Sequence, residues 1–380
     1  MSGDNNLNEA QGGNKEQSVN EEHSISEKSK LEESNSMNSS FDWPSSKAFS
    51  IQSAVFKQTN NDFFVDEQLS FPLTDEGEHC FVLVEKSGAN TQWIAKKLAN
   101  SFSVPERAVG YAGLKDRHAV TRQWFSVYTP GQTSPEHIEG DDEFKVLAIH
   151  RHNKKLKQGS VKQNRFVITL RDVKGEQADI EQQLETIKQQ GYPNYFGAQR
   201  FGHHGNNVRK AVAMLQGKRV KKHQRSMYLS AMRSWFFNQY LALRVKSDSW
   251  QTAQLHDRMQ LAGSRSFFQV DGSETDLPER LEQADIHVAG PMPGEDFFSL
   301  ETLPEADKLA EIWAPYFELV EKLPVKTDWR ALRVIPFELQ WQWHDSTTLE
   351  LSFSLPSGCF ATGLLSELGH CVDGSALDHK

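Results

Sequence analysis

Both ends of the chain carry the sequence pattern of β-strands, whereas the stretch between them carries that of helices. Residues 50–85 are short apolar runs broken by Asn, Pro, Asp and Gly, and the pattern returns from about Ile335 in FELQWQW and TLELSFSLP. After Gly191 the segment MYLSAMRSWFFNQYLALRV places apolar side chains at helical spacing instead. The sequence therefore predicts one sheet-based core built by both ends and interrupted by an insertion.

The predicted class is α+β, with a mainly antiparallel sheet in the divided domain. A chain of 380 residues exceeds one compact core, which favours two domains. We expect residues 41–190 and 336–380 to form the sheet domain and residues 191–335 to form a mixed, more helical inserted domain. Residues 1–40 carry eight acids, three lysines and almost no aromatics, so we expect a disordered acidic tail.

Local signals place several helices. Thr91 is the expected N-cap of a first helix, and a second helix over about 176–190 is expected to end at Gly191. The long helix after Gly191 is expected to be amphipathic. Its predicted apolar side consists of Leu229, Met232, Trp235, Phe236 and Leu243.

Positive charge is concentrated in two tracts, although the whole chain has a net charge of −9. Residues 186–247 contain twelve Lys or Arg, and residues 144–171 contain eight, with no Asp or Glu in either tract. Such tracts predict a polyanion-binding face, and two solvated helix faces are the alternative.

Several classes of protein are not expected. No apolar run approaches the roughly 20 residues of a membrane helix, and the N-terminus does not resemble a secretory signal. Cys80, Cys359 and Cys371 form no C-x-x-C pair, which favours a reducing cytoplasm. Neither nucleotide-binding glycine motifs nor H-E-x-x-H nor G-x-S-x-G occurs, and the adjacent His203 and His204 are expected to point apart. We therefore expect chemistry without a metal or cofactor.

The densest chemical signal is GYAGLKDRHAVTRQ at residues 110–123. Asp116 lies there between Lys115 and Arg117. Nearby cations favour the ionised carboxylate, which suits a nucleophile or an electrostatic stabiliser. The alternative is a surface aspartate that ends a turn.

Three further motifs carry aromatic and amide groups. PNYFGAQRFG offers Tyr195 and Phe196 for stacking on RNA and Arg200 for phosphate contacts, or else forms an aromatic hinge. GSVKQNRFVITLR offers Asn164 as donor and acceptor to a pyrimidine edge, or else is a plain strand edge. LPSGCFAT presents Phe360 ahead of a helix, or else buries it as a core aromatic.

In combination, these four motifs resemble the D-type tRNA pseudouridine synthases, in the same order and from about Ala48 to Leu368. The resemblance implies an α+β pseudouridine-synthase domain split by an inserted domain. It also implies cofactor-free isomerisation of uridine 13 in the D arm of tRNA. By the same resemblance, tRNA is the partner, and we expect a monomer because no heptad pattern is visible.

The resemblance also assigns roles. Asp116 matches the essential aspartate, as a nucleophile at C1′ or as a base at C2′, and Lys57 is the weaker candidate for its paired cation. The expected substrate-binding residues are Phe63, Asn164, Phe166, Phe360, Lys57 and Lys115, with Phe166 where related enzymes use a tyrosine. Two alternatives stay open: a non-catalytic RNA-binding scaffold, and the same reaction on another RNA.

Overall fold

The computed structural model describes residues 41–157, 159–297 and 300–376. The predicted disordered tail, residues 1–40, lies outside the described residues. The strands are β1 (Ile51–Phe56), β2 (Phe63–Leu69), β3 (His79–Ser87), β4 (Val109–Gly110), β5 (Val120–Tyr128), β6 (Phe144–His152), β7 (Val161–Lys174), β8 (Tyr192–Pro193), β9 (Arg258–Leu261), β10 (Phe267–Gln269), β11 (Ile286–Met292), β12 (Asp328–Ala331), β13 (Arg333–Val334), β14 (Phe337–Trp343), β15 (Leu349–Pro356) and β16 (Gly369–Asp373). The helices are α1 (Thr91–Ser101), α2 (Gln177–Gln190), α3 (Asn206–Leu215), α4 (Lys222–Lys246), α5 (Leu277–Glu282), α6 (Ala306–Trp313), α7 (Phe317–Val320) and α8 (Ala361–Leu368).

One large sheet unites the two ends of the chain. Its main order is β14-β15-β7-β2-β5-β3-β6, while β1 pairs with both β7 and β16, and β4 pairs with β5. Only the pairs β2–β5 and β1–β16 are parallel within this sheet of the described chain. The predicted α+β class with a mainly antiparallel sheet is therefore confirmed.

Strand β7 lies inside this sheet, between β15 and β2. The two registers place Val65 and Phe353 on either side of Phe166. Cross-strand neighbours share a face, so these three buried side chains form one apolar row of the core. The same registers place Asn164 between Glu67 and Leu355, one pleat further along.

A second core surrounds α4, next to the four-stranded sheet β10-β9-β11-β12. The expected amphipathic pattern of α4 is wrong: from Tyr228 to Val245 it is buried around most of its circumference, and Leu243 is only half-buried. Helices α3 and α6 and strand β11 pack against it from different sides. Even Arg244 is fully buried, where it forms an ion pair with Asp257 at 2.7 Å.

The chain enters and leaves the region 191–335 side by side. Strand β8 pairs antiparallel with β13, and α2 ends before Gly191, as the sequence predicted. Gly191 has φ +80°, and a Cβ there would lie 2.4 Å from the Val334 carbonyl oxygen. The β8–β13 pairing brings the two ends of the region 191–335 together, and the domain boundaries stay a prediction. Within the described residues, no helix is long and apolar enough to cross a membrane.

Candidate active site

Asp116 lies in the loop between β4 and β5, and three consecutive residues of this loop bond to Lys86, Gly88 and Thr91, from the end of β3 to the start of α1. The Lys115 amide donates to Thr91 Oγ1 at 2.9 Å. The Lys86 ammonium donates to the Asp116 carbonyl at 2.8 Å. Arg117 Nε donates to the Gly88 carbonyl at 2.8 Å. The loop is therefore held on both sides of Asp116 against the segment from Lys86 to Thr91.

The expected role of Thr91 as an N-cap is wrong. Helix α1 begins at Thr91 itself, and Asn90 occupies the cap position. The buried Thr91 hydroxyl instead donates to Gln123 Oε1 at 3.0 Å while it accepts the Lys115 amide. Gln123 Nε2 in turn donates to the Gly113 carbonyl at 2.6 Å. The hydroxyl thus positions the loop of Asp116 rather than the end of a helix.

The Asp116 carboxylate has one cationic and one main-chain partner. Its Oδ2 forms an ion pair with Lys57 Nζ, and its Oδ1 accepts the His118 amide at 3.1 Å. The Lys57 side chain is 3% exposed, whereas that of Asp116 is 31% exposed. The cation is therefore sequestered, while part of the carboxylate stays accessible to a substrate.

Lys57 has a strained backbone and a second acidic partner. It follows β1 with φ +58°, a region that a residue with a Cβ rarely adopts. Its ammonium lies 4.6 Å from the ring centroid of Phe63 and 3.5 Å from Asp373 Oδ2. Strand β16 carries Asp373 to this position, because it pairs with β1 with Asp373 opposite Phe56. Sequence reasoning missed Asp373, which no local motif marks.

Lys115 links the loop of Asp116 to Asn164. Its ammonium contacts Asn164 Oδ1 and forms an ion pair with Glu67 Oε2 at 3.0 Å. Glu67 is buried, and its Oε1 also accepts the Trp124 amide at 3.2 Å. Burial raises the pKa of Glu67, and the charge of Lys115 opposes that shift. Glu67 was also missed, although an acid in the apolar strand FFVDEQL was an available signal.

Phe63 and Phe166 lie in the core beside these polar groups. Their rings are 6.2 Å apart and nearly perpendicular, and Phe166 stacks on Phe353 at 5.5 Å. The two residues are 6% and 7% exposed. They border the Lys57 ammonium and the Asn164 strand, and most of each ring is covered by protein.

Phe360 lies in a different group of side chains, against residues of the region 191–335. Its loop begins where Leu355 pairs with Asn164, but its ring packs 6.3 Å from the ring of Phe196. The guanidinium carbon of Arg200 lies 6.0 Å from the Phe360 ring and 5.3 Å from the Phe196 ring. Arg200 also donates to Ser230 Oγ at 3.1 Å.

Phe196 is not free to stack on an RNA base, contrary to the sequence expectation, whereas Tyr195 is half-buried and its role stays a prediction. Phe196 is 5% exposed, and Arg330 covers its ring at 4.2 Å. Both main-chain polar groups of Phe196 bond the Asn238 side chain. Tyr195 stacks on Trp43 at 5.8 Å, with its hydroxyl buried. The segment after β8 bonds to α4 through Asn238, which explains why the Phe196 ring points inward.

Among the described residues, no group of three or more His, Cys, Asp or Glu side chains is arranged to hold a metal ion. The rings of His203 and His204 contact each other at 4.1 Å, so the expectation that they point apart is wrong. His204 has φ +50°, which turns its side chain back toward its neighbour.

Comparison with known families gives a match to the model of tRNA pseudouridine synthase D (TruD) over residues 51–219 and 203–368. These ranges cover most of the chain. The chain belongs to the TruD family. Asp116, Lys57 and Asn164 lie inside the TruD match, whereas Asp373 lies beyond it.

Relatives of similar length support the same membership. The tRNA pseudouridine synthase D of Hydrogenovibrio crunogenus is 40% identical over 321 residues, which is 83% of this chain and 92% of the relative. That of Xanthomonas axonopodis pv. citri is 41% identical over 350 residues, covering 87% and 95% of the two chains. A crystal structure from Methanosarcina mazei, described as a TruD protein, covers 89% of this chain and 98% of its own, with a TM-score of 0.67 at 19% identity. This last likeness shows a shared fold.

Proposed function

We propose that this protein converts uridine 13 in the D arm of tRNA to pseudouridine, with Asp116 as the catalytic carboxylate. The observation that carries the proposal is the setting of Asp116: a half-buried carboxylate on a restrained loop, paired with the buried cation Lys57. The relatives called tRNA pseudouridine synthase D support tRNA as the substrate. A cofactor-free reaction, a monomer and a cytoplasmic location belong to the same proposal.

The reaction rearranges one nucleotide without adding atoms. The bond from uracil N1 to ribose C1′ breaks, the uracil rotates, and a bond from C5 to C1′ forms while C5 loses its proton and N1 gains one. Asp116 acts on the ribose, either by attack on C1′ or by removal of the C2′ proton. Both routes need an ionised carboxylate, which the contact with Lys57 favours.

The detached uracil must be retained while it rotates, and Asn164 is placed for this task. Its Oδ1 is engaged by Lys115, which leaves its Nδ2 to donate to a uracil carbonyl. Glu67 fixes Lys115, so the amide orientation is set by a chain of charged contacts. Phe63 and Phe166 supply apolar ring edges beside the base, and Arg200 and Phe360 border the insertion side.

A uridine must leave its stack to reach this site, at a cost of a few kcal/mol. Contacts between protein cations and RNA phosphates offset that cost and weaken as salt rises. The residues 144–171 and 186–247 supply many such cations without neighbouring acids in the sequence.

The decisive experiment maps pseudouridine in tRNA incubated with the purified protein, with Asp116→Asn in parallel and no metal or cofactor added. We expect pseudouridine at position 13 with the wild type, and none with the variant, which still binds tRNA. Turnover by the variant close to that of the wild type would reject the catalytic role of Asp116. Binding without modification by the wild type would favour the non-catalytic scaffold and overturn the proposal.

A further inference from the structure

An open groove of about 750 Å³ lies near the candidate active site, where β2 ends and β7 begins. One wall is the segment Ser70–Pro72, which follows β2. The other wall comes from the connection between β6 and β7. Its lining residues there are His152, Asn153, Lys154, Lys155, Lys157, Gly159 and Ser160. The catalytic and uracil-binding roles assigned above use none of these residues, and the three lysines belong to the basic tract 144–171.

The groove is lined by three lysines and no acid. Lys154 and Lys157 are exposed, whereas Lys155 is half-buried and donates to the Arg107 carbonyl at 2.8 Å. Burial lowers the pKa of His152, and the charge of Lys154 lowers it further. The histidine is thus neutral at neutral pH, and the positive charge of the groove comes from its lysines.

An aromatic surface lies beside these charges. The half-buried Phe71 ring stacks on the His152 ring at 4.6 Å with an interplanar angle of 19°. Phe71 is anchored from behind by an edge contact with Phe81 at 6.2 Å. A held aromatic ring next to exposed lysines is the combination with which proteins bind the bases and phosphates of RNA strands.

The pairing of β2 and β7 leads directly from the active site to this groove. Glu67 is opposite Asn164, and three residues further along the Ser70 amide donates to the Ser160 carbonyl at 3.0 Å. At about 3.3 Å per strand residue, the groove begins about 10 Å from the Asn164 pair. An RNA strand whose target uridine lies against Asn164 therefore has its neighbouring nucleotides next to the groove.

We infer that this groove binds the substrate RNA beside the target uridine, with Lys154 and Lys157 on backbone phosphates and Phe71 against a base or ribose. The inference rests on the proposed function for the identity of the RNA. An acidic protein segment is the less favoured ligand, because it would use the lysines but not the stacking surface.

The test compares two double charge reversals that change the net charge equally. Lys154→Glu with Lys157→Glu alters the groove. The control, Lys174→Glu with Lys322→Glu, alters two exposed lysines that lie outside the basic tracts 144–171 and 186–247 and do not line the groove. The measurement is the dissociation constant of unmodified tRNA at several salt concentrations, together with single-turnover rates at saturating protein.

We expect the groove variant to bind tRNA at least tenfold more weakly at low salt. The slope of log affinity against log salt, which is negative, should become shallower by about 1.5, as for two lost phosphate contacts. The saturated rate should be unchanged, and the control should keep the wild-type slope. Phe71→Leu, which keeps the packing but removes the flat ring, should weaken binding severalfold without altering the slope. Equal slopes in the groove and control variants would overturn the inference.

The two proposals fail in different ways. If the wild-type protein forms pseudouridine and both double variants bind tRNA equally well, the proposed function stands and the groove is rejected as an RNA-binding site. Wild-type protein that binds tRNA through the groove but forms no pseudouridine rejects the function and keeps the groove as an RNA site.

Discussion

The ammonium of Lys86 donates a hydrogen bond to the main-chain carbonyl of Asp116, with Nζ and the oxygen 2.8 Å apart. Lys86 is 1% exposed, and its ammonium also donates to the Ala89 carbonyl at 2.8 Å. Burial lowers the pKa of Lys86 to about 8, while the charge of Asp116 opposes the shift. A buried cation thus positions the loop of Asp116 through its backbone, whereas Lys57 contacts the carboxylate itself.

Replacing Lys86 should reduce turnover more than binding. In Lys86→Met, the buried Ala89 carbonyl and the part-buried Asp116 carbonyl lose their donor, at a cost of about 1–3 kcal/mol, and the loop loses its anchor. We expect kcat to fall about tenfold or more with little change in KM for tRNA. Lys86→Gln, which keeps one donor, should be intermediate. A change confined to KM would argue against a positioning role.

The lowered pKa of Lys86 also predicts that activity decreases at alkaline pH. Below pH 8 Lys86 is charged and holds the loop, and above pH 8 it loses its proton and becomes a weaker donor. Single-turnover rates should therefore decline between pH 8 and 9.5 in the wild type. In Lys86→Gln the rate is expected to be lower but flat across that range, and an unchanged decline would rule out Lys86 as its origin.

Substitutions of Lys57 and Asp373 should reduce kcat to different extents, although both residues belong to one ion-pair network. Lys57→Met removes the only ion pair of Asp116 among the described residues, and we expect a loss in kcat of about 100-fold, because the ionised carboxylate loses its counter-charge. Asp373→Asn leaves the Lys57–Asp116 pair in place, so the loss should stay below about tenfold. The two rates, measured on the same tRNA, test this order.

The pKa of His287 predicts acid sensitivity. Burial and the nearby Arg333 lower it from 6.5 to about 4. Between pH 6.5 and 4 the unfolded chain binds the proton more readily than the folded one. Stability is therefore complete above pH 6.5 and falls as pH decreases toward 4, by up to about 3 kcal/mol. His287→Asn, which keeps an acceptor for Arg333 Nε, should show a shallower decrease in melting temperature over this range.

Two truncations test where the folded part of the chain begins. Phe41 packs on Phe201 at 5.2 Å, and Trp43 stacks on Tyr195. Deleting residues 1–40 keeps these contacts, so the melting temperature should change by less than about 2 °C, whereas deletion through Lys47 should lower it by about 5 °C or more. A large decrease on deletion of residues 1–40 would contradict the predicted disordered tail.

Local sequence was enough to predict most strands and helices of the sheet domain. Three of these signals depend only on neighbours within a few residues. They are the apolar alternation in RFVITL, the Pro-Ser-Gly turn before α8 and the positive-φ glycine after α2. The burial of α4 on nearly all sides could not be predicted in this way, because helical spacing shows one apolar face and not how many elements cover it.

The sequence by itself determined the fold class and the loop of Asp116, and it made Asn164 a candidate through a local motif and Lys57 a candidate through the family resemblance. Only the tertiary structure decided which groups meet there. Glu67, Lys86 and Asp373 reach the site through strand order and register. The same packing buries the ring of Phe196, because contacts between residues distant in sequence depend on how whole elements pair.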